Sequence, residues 1–512
     1  IVQSIVSRHS SINSRADIRP INNPNTCINP AAARHEGNTW VNFMFRRNNS
    51  DPNNFRWHLL YCMMVLMAIG GGIGVAIAVS GVSESEPIPS QAPSAPLYLN
   101  AGNYDGISNT NTEILQELCP PGSQKFNASF LPQTIVEAYE GYADALKISD
   151  PINSCTPNTL ALLFVSTTGV QEEVSISSMY LLSALYFGTG GSTLWMDGSG
   201  WLETPDFCQW QGVECVGSHI LSLELTASGL TGTIPSHLHY FADLEKLLLG
   251  GNQFKGPLPS ELGTLSNLLE LDISRNEITG TLPPELSGNT NIRRLDFSLN
   301  RISGTIPSEW VKMTSLMYLR AGANRIHSTI PTFLGSLRFL ERIELQSNSI
   351  SGIIPSELLK LTKLKEIDLS NNQIKGTIPI NIESWKLMER FRSGFNWLTG
   401  TIPTQLGSLK ELAELTLSGN QLTGQMPSEL GLCTKMHTLT LERNQFKGTI
   451  PKEFFTSFPN LEILVTFSNT ALTGTIGAEL CASSKHSQIS AVCDLSDQVV
   501  CECCTKKFCI SY

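Results

Sequence analysis

The chain has 512 residues and 41% hydrophobic content, which is enough to bury substantial cores, and its length alone allows roughly two to four domains. The net charge of −10 is unevenly placed. Residues 1–58 contain seven Arg, no Lys and three acidic residues, a balance of +4, so the rest of the chain sums to −14. Because phosphate binding needs a clustered basic surface, this acidic remainder argues against a nucleic-acid partner.

An uncharged stretch of 24 apolar or small residues, Leu59–Val82, follows the basic tail. It exceeds the roughly 20 residues that cross a bilayer as a helix. Because Arg residues precede it and "SESE" (83–86) follows it, we predict a signal-anchor helix with a disordered cytosolic tail at 1–58 and the remainder outside, at the plasma membrane. A start at Met44 would instead make the stretch a signal sequence, and the downstream chain is exported in either case.

Small residues recur inside this predicted span, including Gly70 and Gly74. Such a stripe lets two membrane helices approach closely, which favours a dimer or a co-receptor contact. The general frequency of Gly in membrane helices is the simpler explanation.

Two segments of different composition follow the predicted span. Residues 83–111 are rich in Pro, Ser and Asn and read as a stalk. Residues 112–191 form a helical segment, with amphipathic helices predicted in 131–149 and 174–191 from apolar residues at three- and four-residue spacing. The sequon at Asn127 predicts a surface glycan.

A repeat of 24 residues begins near Ile220 and marks one Asn in each unit after Ser228. The residues at this position are Asn252, Asn276, Asn300, Asn324, Asn348, Asn372, Asn396, Asn420 and Asn444. A further unit follows with Asn469, displaced by one residue. A period of this length predicts a solenoid.

Each unit has a physical reading. In residues 268–274, Leu271 and Ile273 alternate with Glu270, Asp272 and Ser274, which predicts a short strand with the first pair inward and the others facing solvent. The Asn that follows is expected to bond backbone groups of neighbouring turns and form a ladder. Gly permits a tight bend, Pro blocks a helix, and a short helical turn returns the chain.

These features predict an α/β solenoid, a right-handed coil of about ten or eleven units, with a concave parallel sheet roughly 50 Å long. The pattern L-x-x-L-x-x-L-x-L-x-x-N-x-L-x-G-x-I-P over 220–480 resembles the plant-type subfamily of leucine-rich repeats. Residues 192–219 resemble its N-terminal cap. The matching cap residues are Trp195, Trp201, Cys208, Trp210, Gly212, Val213 and Cys215. With the span and a Cys-rich tail at 481–512, the chain is similar to membrane-anchored repeat proteins of diatom-like algae, which implies recognition.

Cysteine usage fits an exported protein. A Cys208–Cys215 bridge would seal the first turn, and Cys119 could pair with Cys155 in the helical segment. Cys433 takes an inward apolar position, which predicts a buried free thiol. The tail contains Cys481, Cys493, Cys501, Cys503, Cys504 and Cys509. Disulfides are favoured over a metal site for these six, and their connectivity stays open.

Catalytic signatures are missing from the sequence: there is no phosphate-binding P-loop, no H-E-x-x-H, no G-x-S-x-G and no kinase signature set. His237 and His239 lie close together, and we interpret them as surface residues rather than ligands. The sequence therefore predicts no enzyme, no cofactor and no metal.

The outward positions of the predicted concave sheet vary between units and carry Tyr, Arg and acidic residues. Asp296, Arg320 and Glu344 are expected to form a charge ladder on adjacent strands. The candidate ligand-binding residues are Arg294, Asp296, Tyr318, Arg320, Arg342, Glu344, Arg390, Arg392 and Phe395. A solvated face whose charges merely pair with one another explains the same residues equally well.

The sequence favours a membrane-anchored cell-surface protein, without a visible kinase domain, that binds an extracellular peptide, protein or polysaccharide. A structural or adhesive role in a wall or matrix is a second hypothesis. A third, an anchored inhibitor of a secreted hydrolase, follows only from the resemblance.

Overall fold

The computed structural model describes residues 119, 124–125, 131, 133–145, 150–168, 173–196, 198–454, 458, 460–466, 468–469, 471–476 and 498–501. All of them belong to one unit of the chain, Pro89–Phe508. None of the helices in these ranges is long and apolar enough to cross a membrane. The predicted span at 59–82, with its Gly70 and Gly74 stripe, lies outside the described residues.

Four helices precede the coil: α1 Gln133–Ala145, α2 Pro157–Thr168, α3 Glu173–Gly188 and α4 Gly191–Leu194. Helix α1 lies within the first predicted helical stretch, α3 begins one residue before the second, and α2 was not predicted. The amphipathic description is wrong for α3, because Met179 to Tyr186 are buried without a break. The helix packs against α2 and contributes to the same core as the first coils, so it has little solvent-facing surface.

The helical segment and the cap form the N-terminal end of the coil as one cluster of aromatic rings. Tyr186 of α3 stacks near Trp201, and Trp201 contacts Trp195 and Trp210, with centroid separations of 4.7 and 5.0 Å. The backbone N–H of Thr231, in the first repeat, donates to the carbonyl of Thr189. This end of the solenoid is therefore covered by apolar packing and continued backbone pairing.

The main sheet contains twelve strands within the described residues. They are Val213–Val216, His219–Glu224, Lys246–Leu248, Glu270–Asp272, Arg294–Asp296, Tyr318–Arg320, Arg342–Glu344, Glu366–Asp368, Arg390–Arg392, Glu414–Thr416, Thr438–Thr440 and Ile463–Val465. The first pair is antiparallel and every later pair is parallel. We call this the concave sheet. The predicted strand at 268–274 is shorter, and Ser274 is buried rather than solvent-facing because its N–H turns back to the Asp272 carboxylate.

A second set of short parallel strands runs beside the concave sheet, where the Gly-x-Ile-Pro phrase lies. The strands are Thr231–Thr233, Gln253–Gly256, Glu277–Ile278, Ser303–Gly304, Arg325–Thr329, Ser349–Gly352, Gln373–Gly376, Trp397–Leu398, Thr423–Gly424, Gln445–Thr449, Ala471–Ile476 and Gln498–Cys501. They form three separate sheets of three, five and four strands in chain order, and we call the set the lateral ladder. The sequence analysis treated this stretch as a bend alone, which is a correction: the residues before each Pro are extended and pair between coils.

The glycine of the lateral ladder is required by both torsion and space. Gly352 has a φ of +80°, and a Cβ there would come within 2.6 Å of the Thr329 methyl of the preceding coil. The methyl of one coil thus packs on the bare backbone of the next.

Short 3-10 turns return the chain on the opposite side, and the residue before most of them is Pro, as the sequence suggested. These turns are Phe207–Gln209 in the cap and Ser236–Tyr240, Ser260–Thr264, Pro284–Gly288, Ser308–Lys312, Thr332–Ser336, Ser356–Lys360, Ile382–Ser384, Thr404–Ser408 and Ser428–Leu432 in the repeats.

The repeated Asn holds consecutive coils together. Asn300 Nδ2 donates to the carbonyls of Ile273 in the preceding coil, at 2.9 Å, and Phe297 in its own. Its Oδ1 accepts the N–H of Ile278 at 2.9 Å. The other Asn residues at this position repeat these bonds. Because the amides are largely buried and fully bonded, they stabilise the corner between the two sheets.

Candidate ligand-binding surface

The concave sheet places eight of the nine candidate residues on four strands. In each three-residue strand the middle side chain, such as Leu319, is buried and the first and third project outward. Parallel register sets Tyr318 beside Arg294 and Arg342, and Arg320 beside Asp296 and Glu344. The candidates therefore form two outward columns, with Arg390 and Arg392 one strand beyond Glu366 and Asp368.

The Asp296–Arg320–Glu344 ladder is present. Arg320 Nε donates to Glu344 Oε1 at 3.0 Å, and its Nη1 lies 3.5 Å from Asp296 Oδ2. Burial raises the pKa of both the Asp296 and the Glu344 carboxyl groups. The Asp296 carboxylate also accepts the Ser298 N–H and hydroxyl, so its position is fixed.

A second cluster is centred on Glu366, whose side chain is only 7% exposed. Three guanidinium groups contact its carboxylate: Arg342 at 3.2 Å, Arg390 at 3.0 Å and Arg392 at 2.7 Å. Burial alone would raise the pKa of Glu366, but the attraction of Arg392, Arg390 and Arg342 outweighs it and the pKa is lowered. Arg392 also binds Glu414 in a bidentate pair.

The charged candidates are thus all paired within the sheet, and Arg294 completes the set through Glu270 at 3.0 Å. Sequence reasoning did not select Glu366 and Glu414 as site residues, although both stand in the same outward columns. Both could have been found from the sequence, because their repeat positions place them one strand away from the selected arginines.

Two aromatic candidates are placed differently. Arg294 lies over the Tyr318 ring, 5.5 Å from its centroid. Phe395 lies past its strand, at the turn before Asn396, with a φ of +54°. Its ring occupies the space above Gly419, where a Cβ would come within 2.7 Å of the ring. Phe395 therefore borders the candidate surface and does not join the charge columns.

The cysteines and histidines have structural settings. Cys119–Cys155 and Cys208–Cys215 are disulfide bonds. Cys433 is a buried free thiol that donates to the Leu406 carbonyl, and burial raises its pKa to about 11.

The interpretation of His237 as a surface residue is corrected. It packs beneath α3, where burial lowers its pKa to about 4 against the opposing effect of a bond to the Leu181 backbone.

The remaining site predictions lie outside the described residues. They are Asn127 and the tail cysteines Cys481, Cys493, Cys503, Cys504 and Cys509. Cys501 ends a strand that pairs with residues 473–476, extending the lateral ladder.

The coil matches known families. The family model described as "Leucine rich repeat" matches residues 314–374, and a second, "Leucine Rich Repeat", matches 243–265, 267–289, 291–313 and 411–433. These segments of the chain are leucine-rich repeats. The matched segments contain six of the nine candidate residues, and Arg390, Arg392 and Phe395 lie outside them.

Relatives and solved structures are similar over parts of this leucine-rich repeat protein. It is 31% identical over 96 residues, 19% of its length, to the leucine-rich repeat receptor protein kinase MSL1 of Oryza sativa subsp. japonica, of which it spans 6%. The plant peptide hormone receptor RGFR1 in complex with RGF2 is 27% identical, with 55% of this chain and 47% of the receptor covered and a TM-score of 0.49. The Arabidopsis receptor kinase HAESA, with IDA and SERK1, is 24% identical over 56% and 65%, with a TM-score of 0.43.

Proposed function

We propose that the protein recognises an extracellular peptide or protein ligand on the concave sheet between Arg294 and Phe395. The observation that carries this proposal is the preorganised set of arginines. Arg294, Arg342 and Arg390 retain 34–40% exposure while each is held by a carboxylate of a neighbouring strand. Ordering long side chains is a large cost of binding, and these side chains are ordered before a ligand arrives.

These ion pairs use only some of the N–H donors of each arginine. A guanidinium has five N–H donors, and Arg342 uses Nη1 on Glu366. The remaining donors can bind carboxylates or backbone carbonyls of a ligand. Tyr318 lies between Arg294 and Arg342 in register and offers a flat surface of the kind that dominates binding energies.

A receptor role requires a membrane anchor, which we propose is the stretch 59–82, with dimer or co-receptor contacts through Gly70 and Gly74. The likeness to a rice receptor protein kinase supports the receptor part of this proposal over the repeats alone. The concave sheet has a binding role in it and not a catalytic one.

Binding of the purified full chain to an immobilised library of synthetic peptides tests the proposal. Tyr318→Ala and Arg342→Gln are the test variants, because Glu366 keeps Arg390 and Arg392 when Arg342 is changed. Lys246→Gln is the matched control: Lys246 is also half-exposed and paired, with Glu224, but lies two strands before the candidate surface.

We expect a peptide that binds saturably and loses about tenfold in affinity, or about 1.4 kcal/mol, in each test variant and nothing in the control. Peptide binding that survives both test variants would contradict a site on this sheet. Retained unfolding midpoints would show that the variants are folded.

A further inference from the structure

Beyond this proposed function, the lateral ladder presents a second surface with a different chemistry. Its six strands from Arg325 to Thr449 have outward side chains that include Arg325, Lys375 and Lys447 and no carboxylate. The acidic residues that precede these strands most closely, Asp368 and Glu442, are buried. Those that follow the Pro, such as Glu357, belong to the return turns. In a chain of net charge −10, this stretch is a local basic face.

The cations of this face are unpaired among the described residues. Arg325 lies opposite Ser303, Lys375 opposite Trp397, and Lys447 opposite Ala471. All three side chains are exposed, and no carboxylate of the described chain lies within ion-pair distance of them. They contrast with the arginines of the concave sheet, each of which is paired.

An aromatic ring lies in the middle of this basic face. Trp397 is 52% exposed, stands on a paired backbone, and its indole N–H donates to no described group. An exposed indole costs solvation energy and offers the flat apolar surface on which the C–H face of a sugar ring stacks. Lys375, directly across the ladder, places a cation beside that surface.

The neighbouring coils add hydrogen-bonding groups in a regular array. Exposed Gln373 and Gln421 stand one coil before and one coil after Trp397 at the same position of the repeat. The hydroxyls of Thr377 and Thr401 donate to no described group, because the methyl of each packs against the next glycine and leaves the oxygen outside. Coils follow each other at about 4.8 Å, so the array is linear and rigid.

We propose that the lateral ladder between Arg325 and Thr449 binds an extended acidic polysaccharide, with one sugar ring stacked on Trp397 and carboxylate or sulfate groups on Arg325, Lys375 and Lys447. Charge complementarity selects an anionic chain, the indole selects a sugar over a simple polyanion, and the linear array selects a polymer. The surface is separate from the concave sheet, so two ligands can be held at once.

The probes are polygalacturonate, neutral dextran and polyglutamate, each measured against the purified full chain. The test variants are Trp397→Ala and the triple variant Arg325→Gln, Lys375→Gln, Lys447→Gln. Tyr240→Ala is the matched aromatic control, since Tyr240 is 67% exposed on a return turn. Lys255→Gln is the matched charge control, because Lys255 occupies the same column opposite Glu277.

We expect polygalacturonate to bind, Trp397→Ala to weaken it at least about fivefold, and the triple variant to abolish binding and its salt dependence. Both controls should bind as the parent does. Equal binding of polyglutamate would show a charge effect without sugar recognition and overturn the proposal, as would equal binding of dextran. Polygalacturonate binding that is lost in Tyr318→Ala but kept in Trp397→Ala would move the site to the concave sheet and overturn it too. Peptide binding at Tyr318 and Arg342 is measured in a separate assay. A failure of the polysaccharide proposal therefore leaves the proposed peptide-binding function unaffected.

Discussion

The concave sheet and the lateral ladder are built from the same 24-residue unit, yet their charged residues are in opposite situations. On the concave sheet, each arginine of the two outward columns has an acidic partner, although Asp272 and Asp296 also lie side by side, and Glu366 receives three guanidinium groups. On the lateral ladder, Lys375 stands opposite an indole and Arg325 opposite a serine.

The difference arises from which residues occupy the outward positions. Strands of the concave sheet pair residues 24 positions apart, so the same repeat position stacks on itself and opposite signs in one column become ion pairs. Most strands of the lateral ladder pair residues 22 positions apart. Its six strands from Arg325 to Thr449 contain no carboxylate, whereas Glu277, earlier in the ladder, does pair with Arg301. One repeat thus yields a self-neutralising surface and a surface with charge available for a partner.

The largest expected effect is at the corner that joins the two surfaces. Asn396→Ala removes the bonds to the Leu369 carbonyl and the Ile374 N–H, both 2.9 Å long and buried. We expect the free energy of unfolding to fall by about 3 kcal/mol, measured by urea denaturation. Asn267→Ala is the control, because that exposed amide makes a single bond to the Ala242 carbonyl and should cost less than about 1 kcal/mol. Similar losses in both variants would contradict the role given to the buried amide.

Replacing glycine by alanine compares the steric tolerance of the lateral ladder with that of the concave sheet. Gly352→Ala meets both a positive φ and the Thr329 methyl, and we expect a loss of about 2 kcal/mol in the free energy of unfolding. Gly322→Ala, just past the concave strand Tyr318–Arg320, meets the flexible end of the Gln346 side chain and should cost well under about 1 kcal/mol. Adding Thr329→Ser to Gly352→Ala removes the methyl and should recover part of the loss. No recovery would assign the whole cost to torsion.

Substitution of a glutamate is expected to have the smallest effect on the free energy of unfolding. It also tests the direction of the pKa shift assigned to that residue. Glu366→Gln should cost about 1 kcal/mol at pH 7, because Arg390 and Arg392 keep Glu414 as a partner and all three arginines are partly exposed. The lowered pKa of Glu366 stabilises the fold above the ordinary carboxyl pKa, and this contribution is lost as pH falls through the folded-state value. The variant should therefore lose less stability than the parent between neutral and acidic pH.

Glu442, which follows the concave strand Thr438–Thr440, is the opposite case. Its side chain is buried and burial raises its pKa, so its ionisation destabilises the fold as pH rises above the ordinary carboxyl range. Glu442→Gln should raise the unfolding midpoint at pH 7 and change it little at acidic pH. Midpoints that shift in the same direction with pH in both variants would contradict the assigned shifts.

The sequence predicted those parts of the fold that depend on period alone. Nine steps of 24 residues located the repeated Asn, the inward Leu and the ten concave strands between 219 and 440, because stacking places equal positions together. The strands Val213–Val216 and Ile463–Val465 lie outside that period and were not located by it. The Asp296–Arg320–Glu344 ladder followed for the same reason. The lateral ladder was missed because its strands have two to six residues and contain Gly, so no alternation extends far enough to be recognised.

Side-chain conformation was the second feature that the sequence could not predict. Whether Arg392 would reach Glu366, Asp368 or Glu414 depends on rotamers that no pattern of letters contains, and in the structure it contacts all three. The helix Pro157–Thr168 was missed because its apolar residues occupy most faces, so it has little periodicity to detect.

The Asn bonds also have a direction along the chain. The amide of each unit reaches back: Asn324 accepts the Ile302 N–H and donates to the Phe297 carbonyl, both in the unit made before it. A unit leaving the ribosome is therefore incomplete until the next one has been synthesised. The nascent solenoid closes one turn behind its growing tip, so its most recent turn is always the one exposed to misfolding or to a chaperone.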